Sequence, residues 1–382
     1  MRILGRGITA TAIFEKYPDA LVYDDNNIND FDANSDDITI VSPGIPPYHT
    51  LVQNSKNLLS EYDFFIDDKR FTIWISGTNG KTTTTQMCET LLKPFGGVAG
   101  GNIGVPLAKL DANAPIWILE TSSFTIHYTN KARPNIFLLL PITDDHVSWH
   151  GSFEAYEQSK LKPLDFLKEG EVAIIPKKYE NYPTNGFKIT YSNSSELASK
   201  LGIEIDKIKF KEPFLLDALM AMATTKILFD KVDYDLINSF KIDAHKVEEF
   251  NDNHGRLWID DSKATNLDAT IWAMTNYADK KVHLILGGDD KGANLIPLFE
   301  DLKKYNITIY AIGTNAQKLE SLSKEFGLEV VVCNIIDNAV HEISARHSND
   351  SVAMLSPAAA SLDQFKSYKH RGEKFKELVK AL

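Results

Sequence analysis

Apolar residues along the chain fall into short uninterrupted runs separated by longer stretches in which they recur at helical spacing. Runs such as Phe71 to Ile75, PIWILE, NIFLLLP and EVAIIP end at glycine, proline or acidic residues, the signature of strands buried on both faces. Helical patterns follow through 152–167 and 213–229. Earlier, RIL, ALVYDD and ITIVSPGI read as strands around one helix, up to the charged stretch from Asp67 to Arg70. From about Ile242 the alternation is regular: LWIDDS, VHLILGG, ITIYAIG, EVVVC and VAMLSP, each followed by a helical pattern, the last running to Leu382. Strands alternating with helices predict an α/β protein built on parallel sheets. The breaks predict three domains, at 1–68, 69–241 and 242–382, with ligands at the carboxyl ends of the strands.

A length of 382 residues suits two or three domains. No stretch approaches the ~20 apolar residues of a membrane span, and Met1 leads straight into a strand, so a cytoplasmic protein without membrane contact is expected. Cys88 and Cys333 lie far apart without paired spacing and read as small core residues. The net charge of −11 disfavours a nucleic-acid partner and requires that any anionic ligand be held by local donors.

Such donors are concentrated in Gly77-Thr78-Asn79-Gly80-Lys81-Thr82-Thr83, which leaves a strand and opens a helix. Glycines let backbone amides face phosphates, Lys81 supplies a point charge, and the Thr82 hydroxyl can reach magnesium. The generic phosphate-loop pattern would have its first glycine where Ile75 stands, so this is a compact variant. Glu120 ends one apolar strand and Asp145-His146 follow another, putting hard oxygen ligands at strand ends beside the loop.

The compact GTNGKTT loop resembles that of the Mur ligases and their folylpolyglutamate relatives, as do GGNIGVP at 100–106, LETSSF at 119–124, TDDH at 143–146, DDSKATN at 260–266, LGGDDKGA at 286–293 and LSPAAASLDQF at 355–365. The last three are most similar to the D-glutamate-adding branch. The resemblance implies a Rossmann-like N-terminal domain, a central P-loop ATPase-like domain and a doubly wound C-terminal domain. It also implies a monomer using ATP and Mg2+ to join UDP-N-acetylmuramoyl-L-alanine to D-glutamate through an acyl phosphate. By the same resemblance Lys81, His146 and Lys160 are catalytic, and Gly77 to Thr83, Asp217, Lys246 and Asp261 bind ATP. Thr82, Glu120, His146 and Lys160 hold metal, Lys160 in AYEQSKLKPL as a carbamate. Gly7, Ser42, Asn102, Ser122 and Asp145 receive the UDP substrate, and Lys263, Thr265, Lys291, Ser361, Leu362 and Tyr368 the D-glutamate.

Several residues depart from the family pattern. Ser148-Trp149 replaces an Asp-Arg pair, Lys246 an arginine, Tyr368 a phenylalanine, and Phe214 and Asp217 two asparagines that contact adenine. Phe214 can stack on the base and Asp217 can accept from its exocyclic amine. Lys162, two residues beyond Lys160, points elsewhere on the helix and reads as solvated. Two alternatives stay open: an amide ligase with another amino acid, and a P-loop switch protein that hydrolyses ATP without any.

Overall fold

The structure, a computed structural model, describes residues 1–67 and 69–382; the first domain boundary expected at 68 falls on the residue outside that description. The chain forms two compact units, Met1–Phe240 and Lys241–Leu382. Both are α/β, and among the described residues the named strands pair in parallel except Glu248–Asn251 with Leu257–Asp260.

The first unit contains two sheets. Strands β1 (Arg2–Leu4), β2 (Leu21–Tyr23), β3 (Ile38–Val41) and β4 (Asn57–Leu59) pair in the order β2-β1-β3-β4. Ile3, Ile13 and Ile40 form its small core with Ala10. Arg2 is buried too, but its guanidinium donates to Thr39 Oγ1 (3.0 Å) and to the Asp32 carbonyl (2.7 Å), which offsets the desolvation of the charge.

The second sheet comprises β5 (Phe71–Ser76), β6 (Gly97–Gly101), β7 (Ile116–Glu120), β8 (Ile136–Leu139), β9 (Val172–Pro176) and β10 (Phe187–Tyr191), in the order β10-β9-β8-β5-β7-β6. After β5 the chain goes to the outer edge on one side with β6, returns to β7 beside β5, then crosses to the other side with β8. That reversal puts the loops after β5, β7 and β8 side by side, where an open parallel sheet binds ligands. Strands β6 and β10 carry no apolar run: β6 is GVAGG, and a Cβ on Gly101 would lie 2.6 Å from the Glu120 carbonyl. β10 is a half-exposed edge. Helix Phe214–Phe229 is apolar almost all round, and it is buried accordingly from Asp217 to Thr225.

The second unit has strands β11 (Glu248–Asn251), β12 (Leu257–Asp260), β13 (Lys281–Gly287), β14 (Ile307–Ile312), β15 (Glu329–Asn334) and β16 (Ser351–Leu355), ordered β11-β12-β16-β13-β14-β15. Leu284, Leu286 and Ile309 pack on one face of the sheet, while Ile285, Tyr310 and Leu355 pack on the other. Antiparallel β11, Glu-Glu-Phe-Asn, is an edge strand whose polar alternation gave no strand signal.

Candidate active site

The loop after β5 is shaped by two glycines. Gly77 has φ +142°, and a Cβ there would sit 2.5 Å from that of Leu140; Gly80, at φ +84°, caps helix Lys81–Leu92 without a side-chain acceptor. The first turn of that helix faces the loop without a side-chain cap, and the helix dipole favours an anion there. Lys81 Nζ donates back to the carbonyls of Gly77 (2.9 Å) and Thr78 (2.8 Å). The Thr78 hydroxyl is turned inward, donating to the Thr143 carbonyl (3.0 Å), so it ties the loop to the segment after β8. Asn79 and Thr82 are half-buried and Thr83 is buried in the first turn.

Glu120, the last residue of β7, is buried; Oε1 accepts from Asn102 Nδ2 (2.7 Å) and Oε2 has no hydrogen-bond partner. An unsatisfied buried carboxylate oxygen costs about 1–3 kcal/mol or more, so it marks a place for a ligand cation or donor. Asn102, expected on the UDP substrate, here orients this carboxylate. Lys160, on helix Phe153–Leu161, is 1% exposed, and its Nζ donates to the Gly77 carbonyl at 2.7 Å, the oxygen that Lys81 also uses. Burial first, and then the Lys81 ammonium, hold the Lys160 amine well below its ordinary value, against the opposing pull of Asp145 and Glu120.

Asp145 Oδ1 accepts from the His146 amide (2.8 Å), and its other oxygen lies 3.6 Å from His146 Nε2. His146 itself has φ +54° and an exposed ring set edge-on to Phe124. Lys162 is not solvated as expected: its Nζ donates to the His127 carbonyl (2.8 Å) and Asn130 Oδ1 (2.9 Å), because the helix packs against the turn after helix Ser123–Tyr128. Ser122 caps that helix through the Thr125 amide. Gly7 begins helix Ile8–Lys16, and buried Ser42 Oγ has no hydrogen-bond partner. Asp217 is buried against the phosphate loop, its Oδ1 accepting from Thr84 Oγ1 (2.9 Å).

In the second unit, Asp261 is buried; Oδ2 accepts from Ser356 Oγ (2.7 Å) and Oδ1 from the Val247 amide (3.2 Å), and desolvation pushes its carboxyl up to about 8. Next to it, His245 Nδ1 meets Asp260 Oδ2 at 2.6 Å. His245, Glu248 and Asp260 have the donor types and spacing of a metal site, but Lys376 already supplies the cation, 3.0 Å from Glu248 and 3.9 Å from Asp260. Lys246 pairs with Asp243 at 3.1 Å. Lys263 and Thr265 are exposed, with Lys263 Nζ 4.5 Å above the Tyr368 ring. Lys291 is exposed at φ +51°, Ser361 is buried, and Leu362 is 69% exposed.

A protein from Campylobacter jejuni named UDP-N-acetylmuramoylalanine--D-glutamate ligase is 52% identical to this chain, covering 99% of it and 98% of that protein. The chain belongs to the Mur ligase family. The model of the Mur ligase middle domain matches residues 75–214. A Helicobacter pylori relative of the same name is 48% identical, over 92% of this chain and 88% of its own. Among solved structures, a MurF ligase from Thermotoga maritima in complex with ADP is 14% identical with a TM-score of 0.62, covering 99% of this chain and 93% of that one.

Two parts of this Mur ligase site were invisible in the motifs. Phe124, His127, Trp149 and His150 form one aromatic cluster; Trp149 Nε1 donates to the Gly44 carbonyl (3.3 Å), and Tyr128 OH to that of Ile45 (2.6 Å). They fasten the Ser42-Pro43-Gly44 turn to the central sheet, and the departure from the family pattern at Ser148-Trp149 was their one trace in the sequence. Burial first, then His127, His146 and Lys160, push the His150 ring down to about 4. Arg371 is buried and donates to Ser262 Oγ (3.0 Å) and to the carbonyls of Ser262 (2.9 Å) and Ala359 (3.1 Å), knitting the DDSKATN turn to the LSPAAAS loop.

Proposed function

We propose that this Mur ligase joins UDP-N-acetylmuramoyl-L-alanine to D-glutamate, with ATP and Mg2+, in the cytoplasm and as a monomer. Family membership carries the ligase class, and the named relatives support the substrates. The observation that carries the chemistry is the convergence of Lys81, Lys160 and the unpartnered Glu120 oxygen at the ends of β5, β7 and β8. ATP phosphorylates the substrate carboxylate, the amine of D-glutamate attacks the acyl phosphate, and phosphate leaves.

Lys81 and the N-terminal end of helix Lys81–Leu92 stabilise the charge on the phosphoryl group in flight. Magnesium, when bound, neutralises phosphate charge; Glu120, Thr82 and His146 would hold it, and the buried oxygen of Glu120 fits that role. Lys160 reacts with carbon dioxide as its neutral amine, losing one proton and becoming an anionic carbamate ligand. Its depressed basicity favours the neutral form that this step needs. The turn around Gly7 and Ser42, with Asn102, Ser122 and Asp145, receives the UDP substrate. Asp261 and Lys246 reach the nucleotide, and Lys263, Thr265, Lys291, Ser361, Leu362 and Tyr368 bind D-glutamate.

Phosphate release tests the whole reading. With ATP, magnesium and UDP-N-acetylmuramoyl-L-alanine present, D-glutamate should trigger release while L-alanine and diaminopimelate should not. Turnover that ignores the amino acid would instead mark an ATP-hydrolysing switch.

A further inference from the structure

Asp217 stands where an adenine contact was expected, yet its carboxylate is committed elsewhere. It is 3% exposed, lies in the first turn of helix Phe214–Phe229, and accepts the Thr84 hydroxyl at 2.9 Å. Thr84 is in the first turn of the loop helix, its amide bonded to the Gly80 carbonyl at 2.9 Å. A Cβ on Gly80 would collide with Asp217 Oδ1, so the carboxylate is packed against the bare backbone of the loop's last glycine. The N-termini of two helices thus flank one buried anion, and both dipoles favour it.

We propose that Asp217 is a positioning residue for the phosphate loop. From the buried side it fixes Gly80 and the first turn of helix Lys81–Leu92, and so acts on the triphosphate rather than on the base. This rests on the ATP-dependent reading above. The Thr84 hydroxyl is the link: an accepted hydrogen bond holds the turn in the one orientation that aims its N–H groups at phosphate. An asparagine at 217 keeps the acceptor and removes the charge, so it isolates the hydrogen bond to Thr84 from the charge.

The test is calorimetric binding of a non-hydrolysable ATP analogue, the GTP analogue and inorganic tripolyphosphate to full-length protein with magnesium. Wild-type binding of the ATP analogue checks the underlying reading by itself. Asp217→Ala and Thr84→Val should each weaken all three ligands by about five- to twentyfold, the range of a lost charge-assisted hydrogen bond. The double variant should be no weaker than either single one, and the ATP-to-GTP ratio should hold within about twofold. Asp217→Asn and Thr84→Ser, which keep the hydrogen bond, should stay within about threefold of wild type, as a merely disrupted core would not allow. A collapse of the ATP-to-GTP ratio in Asp217→Ala with unchanged tripolyphosphate affinity would assign Asp217 to the base and overturn the proposal. So would a Thr84→Val variant that binds like wild type.

Discussion

At the end of β7, Glu120 has one oxygen bonded to Asn102 and the other bonded to nothing, whereas at the end of β12 all four carboxylate oxygens of Asp260 and Asp261 have partners. The same contrast holds for the cations. Lys160 and Lys81 crowd a single carbonyl oxygen, while Arg371 shares its donors among Ser262 and Ala359 and Lys376 lies between Glu248 and Asp260. Burial alone does not separate function from architecture, since Glu120 and Lys160 are as buried as Asp260, Asp261 and Arg371. Saturation separates these two clusters: the Glu120 oxygen left short offers a place for a ligand cation, while the filled positions around Asp260, Arg371 and Lys376 hold the fold.

That comparison breaks first if Lys81 or Lys160 proves dispensable. Lys81→Ala and Lys160→Ala should each lower kcat at least about a thousandfold in a folded protein, as loss of a phosphoryl-stabilising charge or a metal ligand does. Acetate should restore part of the activity to Lys160→Ala alone, and steady-state rates with and without it give the answer. The second unit should respond in stability instead. Arg371→Met should cost about 3 kcal/mol because it strands buried acceptors, read as a lower urea midpoint.

Lys291→Ala should raise the apparent KM for D-glutamate about ten- to a hundredfold and leave that for ATP nearly unchanged, since the residue is exposed and is proposed to bind the amino acid. Equal effects on both substrates would place it in the shared framework.

The contrast sharpens with pH. The Lys160 amine is depressed in the folded protein, so between its folded and its ordinary value the unfolded chain binds more protons, and stability rises with pH. Lys160→Met should therefore melt about 1–3 °C higher than wild type near neutral pH in bicarbonate-free buffer, despite being inactive. Asp261 has the opposite sign. Its carboxyl is raised to about 8, so the folded state holds the extra proton and stability falls as pH climbs from the usual carboxylate range through about 8. Asp261→Asn should flatten that slope in melting curves taken across the range.

The chain itself determined most of the architecture. Apolar runs this short, bounded by Gly, Pro or acidic residues, read as buried strands, and their alternation with helices favours parallel pairing. The loop, Glu120 and Asp145-His146 were legible because strand ends are where a parallel sheet offers open backbone, and sequence alone marks those ends. The edges β6, β10 and β11 escaped, since half-exposed or glycine-rich strands carry no apolar run. Only the tertiary structure decided which polar side chains are saturated. It turned Lys162 onto the His127 carbonyl, Asn102 onto Glu120 and Asp217 under Gly80, and it gathered Trp149 and His150 beside the Ser42 turn. Hydrogen-bond partners distant along the chain are set by packing, and no local pattern records them.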